Sequence, residues 1–293
     1  MSNIRPMQLG EILDGTFSIY RRHFALFMRL SMIVVWLPTA LWVYVQVRYS
    51  GLRGIDLFAA FETHPVVVVL LGLGFLILLT AASLLLKAGT VRVISDSYLG
   101  NEPQLAPALQ LGMAKIVPLL LVAISKALLL ALICVVGSLA LGLVVFVGRF
   151  AGAAVAGLLG LAGGFALLWF FVYVACGYGI TTQTVVLEDL PSSFDAFGRS
   201  WDLTRGARGK VFGTAAVTWL ISQFLPSMVI AAISAIIMAA GPALQPVLIV
   251  LASLMSIVLA PILPCAMTLL YYDLRVRREA FDLQVLGQQL GIG

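Results

Sequence analysis

IVPLLLVAISKALLLALICVVGSLALGLVVF, residues 116–146, decides the fold. The run holds one charged residue, Lys126. It is longer than the roughly 20 apolar residues that carry an α-helix across a hydrocarbon core of about 30 Å. No water reaches the backbone there, so such a segment satisfies its N–H and C=O groups internally, as a helix. Five further runs read the same way, at 24–47, 65–87, 153–187, 211–240 and 247–272. Those at 116–146 and 153–187 exceed one crossing, so they tilt or begin outside the lipid. Composition agrees: 61% of residues are hydrophobic and 11% charged, against roughly 25% charged in a soluble domain. Mean hydropathy is +1.07. The expectation is an all-α integral membrane protein, a single membrane domain over residues 1–293 with six transmembrane helices.

Lysine and arginine set the orientation. With the N-terminus in the cytoplasm, 14 of the 18 fall in cytoplasmic segments, including Lys87 at the end of the second run. Arg48, Arg53 and Arg149 fall outside, and Lys126 falls within a span. Both termini are therefore expected in the cytoplasm, which an even number of spans permits. The net charge of +5 reads as basic groups beside anionic headgroups. Membrane lipids are the expected partners, and nucleic acid is not. No cleavable signal peptide is read ahead of the first run, where Glu11, Asp14, Arg21 and Arg22 stand. Cys134, Cys176 and Cys265 lie in apolar runs without CxxC spacing and read as small buried hydrophobes.

The polar segments are patterned. Residues 8–23 (QLGEILDGTFSIYRRH) place Leu9, Leu13, Phe17 and Tyr20 on one helical stripe, with Glu11, Asp14, Arg21 and Arg22 off it. That is an amphipathic helix of the interfacial kind, on the cytoplasmic face. In residues 192–206, Ser192 and Asp195 form a capping box with Asp in place of Glu. Phe194, Phe197 and Trp201 follow at helical spacing, and Arg199 pairs with Asp195 at i, i+4. Residues 104–115 (QLAPALQLGMAK) are a weaker third copy. Each copy leads through basic residues into an apolar hairpin. One reading is a degenerate threefold repeat of an interfacial helix plus a hairpin. The other is that basic residues precede inward-facing helix ends in any multi-span protein. Near the C-terminus, Asp273–Arg277, Arg275–Glu279 and Arg278–Asp282 are spaced as helical ion pairs.

Three mixed polar stretches, LGEILDGTFSIYRRHF at 9–24, FDAFGRSWDLTRG at 194–206 and LLYYDLRVRREAFDL at 269–283, carry a family resemblance. The chain resembles a bacterial family known as the membrane domain of glycerophosphoryl diester phosphodiesterases. SYLGNEP at 97–103 and VVLED at 185–189 fit it too, so the resemblance runs through essentially the whole chain. It implies a bacterial inner-membrane bundle. In that family the hydrolytic activity belongs to a separate metal-binding barrel, and only residues 273–293 follow the sixth run here. Metal-dependent hydrolysis needs clustered carboxylates and histidines. The two histidines, His23 and His64, are expected on opposite sides of the membrane. The resemblance therefore implies a stand-alone membrane bundle and does not imply hydrolysis; with no catalytic constellation visible, no metal, no cofactor and no enzyme activity are expected, a membrane-embedded enzyme being the third reading.

Within the spans, Lys126 either marks a ligand site or snorkels to the interface. Thr181, Thr182 and Gln183 make a polar patch in the fourth run, and Ser222 and Gln223 another in the fifth. Pro261 and Pro264 interrupt the sixth. Transporters line their sites with such groups, and ordinary membrane helices pack with them. Gly160 and Gly164 form a GxxxG, which suits close approach of helices and a homo-oligomer. On the cytoplasmic side, Glu11, Asp14, Arg21, Arg22, Glu188, Asp189, Arg199, Asp202, Arg205, Asp273 and Arg275 would form a charged collar. That collar is either a mutually paired frame or a site where Arg21, Arg22 and Arg205 meet headgroup phosphate or a protein partner. No Walker loop, nucleophile elbow or HExxH is present. The expected function is a non-enzymatic membrane module that organises lipids or a partner complex through the collar. The alternative is a permease or lipid-translocating protein using Lys126, Gln183 and Gln223.

Overall fold

The computed structural model describes residues 7–49, 62–240 and 245–279. The described residues form helices, with no strand among them. In chain order these are α1 (Leu9–Arg22), α2 (Phe24–Tyr49), α3 (Pro65–Tyr98), α4 (Leu105–Ala114), α5 (Ile116–Gly148) and α6 (Ala153–Gly177). Then come α7 (Thr181–Leu187), α8 (Asp195–Thr204), α9 (Arg208–Trp219), α10 (Leu225–Ala240), α11 (Gln245–Leu259) and α12 (Ile262–Glu279). A π-helical turn, Leu220–Phe224, joins α9 to α10.

Six helices, some continuous and some joined across a break, are long and apolar enough to cross a membrane, and they coincide with the six apolar runs. The second departs most from expectation. The apolar run at 65–87 ends where Lys87 and Arg92 lower the hydropathy, yet α3 continues to Tyr98. Its last turns are held by packing: Ala88, Val91, Val93 and Ile94 are completely buried where α4, α7 and α12 lie against α3. Hydropathy locates the end of the apolar surface and not the end of the helix.

The hairpins are α2–α3, α5–α6 and α10–α11, and contacts between them follow one order. α5 lies on α3, α9 on α6, and α2 on α11, so the first arm of each hairpin meets the second arm of the hairpin before it. The three short helices obey the same rule: α4 lies on α3, α8 on α6 and α7, and α1 on α12. The chain thus closes into a ring.

The core sits at the end of the bundle that carries α1, α4 and α8. Ile12, Phe27, Ile94, Ile180, Leu203 and Tyr271 are buried there. Toward the other end the arms spread, and Leu71, Leu139, Leu161 and Phe165 are exposed. On α1 the buried stripe is Ile12, Thr16 and Tyr20, while Phe17 is exposed. The stripe is rotated from the expected one because α1 faces α12 and α9 and not a flat apolar surface.

Two of the second arms are broken, and each break is capped by a side chain from elsewhere in the ring. Between α6 and α7, Lys126 Nζ donates to the Tyr178 carbonyl at 2.6 Å. Between α11 and α12, where Pro261 supplies no N–H, the Tyr20 hydroxyl donates to the Val258 carbonyl at 2.6 Å. Burial pushes the Tyr20 phenol up to about 12, so it remains a donor at neutral pH. Tyr20→Phe leaves that carbonyl without its partner, and an unsatisfied buried acceptor costs about 1–3 kcal/mol. A thermal-unfolding midpoint equal to that of the parent protein would contradict this role.

Candidate functional site

Lys87 lies about six helical turns along α3 from its end at Pro65, and Lys126 lies about six turns along α5 from its end at Gly148. At 1.5 Å per residue each is about 33 Å from that end. The helices therefore bring two ammonium groups to the same level of the bundle. Both line one cavity of about 490 Å³, within the roughly 300–1,000 Å³ range of small-molecule sites. Its walls come from α3, α5, α6, α7, α9 and α12, and include Val172, Cys176, Phe212, Ala215, Trp219 and Met267. Among the described residues no aspartate or glutamate lines it.

The polar groups in this cavity are few. Lys126 commits one proton to Tyr178. Thr182 and Gln183 enter from the first turn of α7, just after the break. Gln183 is 4% exposed, and its amide oxygen has no hydrogen-bond partner among the described residues. A buried amide left unpaired is unusual and calls for a reason. From the far side, Leu263 and Pro264 place the first turn of α12 against the same space.

Beside the cavity, Arg208 is clamped between two rings, its guanidinium carbon 3.7 Å from the Tyr173 centroid and 3.8 Å from that of Trp201. Cation–π contact of this kind holds an arginine charge without a carboxylate. Phe212 follows one turn later on the cavity side. Trp201 in turn lies across Gly177, whose carbonyl accepts the Ser200 hydroxyl at 2.8 Å and the Thr204 hydroxyl at 3.2 Å.

The expected collar resolves into two paired clusters and several separate exposed groups. In one cluster Asp273, completely buried, receives Lys210 at 2.5 Å, Arg277 at 3.1 Å and the Met7 backbone N–H at 2.6 Å. In the other, Glu188 accepts from Arg199 and from the Tyr271 hydroxyl, both at 2.7 Å. Glu279 binds Arg199 and, at 3.0 Å, Arg275. Burial works against the Arg199 charge, and its hydrogen bonds to Glu279 and Glu188 outweigh that, raising its pKa above the ordinary guanidinium value. Arg199 thus pairs across helices and not with Asp195. The Asp195 carboxylate instead accepts the Ser192 N–H at 3.1 Å, one half of the expected capping box.

Arg21, Arg22 and Arg205 are exposed and do not converge. Arg21 borders a surface groove with Asp14, and Arg22 borders another with His23, Ser97 and Glu102. Arg205 sits at the end of α8, where its carbonyl accepts from Arg278. Glu11 caps α1 through the Gln8 N–H at 2.7 Å, and Asp202 is exposed on α8. Gln223 is exposed in the π-helical turn and is not among the residues lining the cavity. Of the expected ligand groups, the structure brings together Lys126 and Gln183. Sequence reasoning missed Lys87, which counted as a loop-end basic residue. Its distance from the outer end of its run, matched by that of Lys126, was the available signal. Among the described residues no group of histidines, cysteines and carboxylates could hold a metal ion.

Residues 7–271 match a family model described as a domain of unknown function, DUF7847. No curated protein and no solved structure matches the chain.

Proposed function

The chain belongs to the DUF7847 family, whose function is unknown, and from that premise we propose that it is a non-enzymatic, multi-pass membrane protein that holds an anionic lipid between its helices. One observation carries the reading: two lysines from different helices line a mostly apolar cavity that, among the described residues, has no acidic side chain. Lys87 is exposed at the edge of this cavity and Lys126 is half-buried, and a lysine projecting from an apolar helix near membrane depth is a candidate functional group. An anionic headgroup supplies the missing charge.

The surroundings support a bilayer setting. The apolar outer arms are exposed. The length of helix outward from each lysine, about 33 Å, matches a hydrocarbon thickness of roughly 30 Å. The lysines then lie at its cytoplasmic edge, where phosphate groups of lipids lie. The excess of basic residues at the α1, α4 and α8 end supports a cytoplasmic position for that end in a bacterial inner membrane. The short helices α1, α4 and α8 are interfacial in this reading, and the ring of contacts is the degenerate threefold repeat. The resemblance to the phosphodiesterase membrane domains enters as a likeness of the bundle alone. The paired part of the collar, around Asp273, Glu188 and Glu279, serves as a frame, since there carboxylates and basic groups bind one another.

A second reading, translocation of that lipid, is favoured by one feature. Both broken arms, at Tyr178 and at Pro261, border the cavity with residues on either side of the break or just beyond it, an arrangement that transporters use at their sites.

Native mass spectrometry of the protein released from gently extracted membranes tests the main reading. The expected result is one anionic lipid per chain in the parent protein and its loss in Lys87→Gln. Lys87 makes no hydrogen bond or ion pair among the described residues, so this variant is expected to fold as the parent does. A mixed, loosely held lipid population that is the same in both proteins would overturn it.

A further inference from the structure

The charge and shape of the cavity say more about the ligand, given the lipid-holding reading on which this inference rests. Two lysines line it, and among the described residues no carboxylate does. A phosphodiester brings one negative charge and leaves one lysine uncompensated. A phosphate monoester brings about 1.5 to 2 negative charges at neutral pH, with three acceptor oxygens. Lys126 has two protons left after capping Tyr178, and Lys87 has all three. The Gln183 amide, buried and unpaired on its oxygen, adds its own polar groups at the same wall.

Most of the other lining side chains are apolar. Phe212 and Trp219 both line the cavity and are both 50% exposed. They lie at i and i+7, two turns apart on one face of α9. A side chain that borders a cavity and the outer surface at once marks its mouth. Lys87 also lines the cavity and is exposed, so a ligand held at the lysines has an apolar way out past Phe212 and Trp219 of α9.

We infer that the cavity selects a lipid carrying a terminal phosphate monoester, with the phosphate between Lys87 and Lys126 and the acyl portion leaving past Phe212 and Trp219. The shared chemistry with free phosphate is the monoester-like dianion, and the apolar mouth favours the lipid as its source.

The test uses the full chain in nanodiscs of phosphatidylcholine doped with equal amounts of phosphatidic acid, a monoester, and phosphatidylglycerol, a diester, of the same acyl chains. Bound lipid is read by native mass spectrometry. The expected result is retention of the monoester over the diester by about tenfold or more. That preference falls to near unity in Lys87→Gln and in Lys126→Gln, the latter keeping a donor for the Tyr178 carbonyl. Millimolar inorganic phosphate in the buffer is expected to leave the bound lipid in place, and displacement by it would overturn the lipid as the source. Equal retention of both lipids, abolished by the lysine variants, overturns the monoester inference and leaves the anionic-lipid reading standing. Retention of neither overturns both. A monoester preference that survives both lysine variants puts the phosphate elsewhere and overturns the site.

Discussion

Asp273→Ala is expected to destabilise the protein by about 3–5 kcal/mol, the loss that follows when one partner of a buried ion pair is removed. The carboxylate is fully buried and joins three separate parts of the chain. Lys210 reaches it from α9, Arg277 from its own helix, and the Met7 N–H from the segment leading into α1. Lys210 and Arg277 also donate to the Met7 carbonyl at 2.5 and 2.8 Å. Removing the carboxylate leaves Lys210, whose side chain is 19% exposed, close to Arg277 with no counter-charge between them. Equilibrium unfolding in mixed micelles measures the effect. A loss below about 1 kcal/mol, the range of exposed ion pairs, would show that the cluster does not join these helices as described.

Gly177→Ala is expected to cost about 1–3 kcal/mol by overpacking. A methyl group at this position would lie 2.5 and 2.6 Å from two carbons of the Trp201 ring, and that ring is not free to retreat. It is stacked on Arg208 and fixed edge-on to Tyr173 at a centroid distance of 6.1 Å. The Ser200 and Thr204 hydroxyls hold α8 to the Gly177 carbonyl itself. Pushing Trp201 aside therefore disturbs α8, the stacked arginine and one wall of the lysine cavity together. A double-mutant cycle with Trp201→Leu checks the cause. The Gly177→Ala cost should largely vanish when the large ring is absent, a non-additivity expected only of residues in contact. A fully additive pair would mean that the strain lies elsewhere.

The residues that the sequence made legible are those with a local signature. Six apolar runs stand out because a helix that crosses lipid must be apolar for its whole length, and all six appear as helices. The helical ion pairs Asp273–Arg277 and Arg275–Glu279 are also local, and both form; Asp282 lies outside the described residues. What stayed hidden depends on contacts between distant segments. Arg199 has a suitable partner four residues away in Asp195 and instead uses Glu188 and Glu279, which no i, i+4 rule can anticipate. Lys87 looked like an ordinary basic residue at a helix end because hydropathy falls after it, and only the burial of Ala88–Ile94 places it inside a longer helix. Lys126 and Gln183 were visible as polar residues in apolar surroundings, but that they share one wall follows from the break at Tyr178 and the packing of α7.

The ring of contacts has a consequence for the order of events during synthesis. The helix α1 rests on α12, with Gly15 against Leu269 and Met7 bound to Asp273, so it meets its partner only after about 250 further residues have been made. At about 5–20 residues per second, that delay is roughly 12–50 s. Through that interval Ile12, Thr16 and Tyr20 lack the surface that covers them in the finished protein, and the break at Val258 that Tyr20 caps does not yet exist. A ribosome stalled before α11 would hold an open arc of helices, with α1 free to be recognised by quality-control proteases until the last hairpin arrives and closes it.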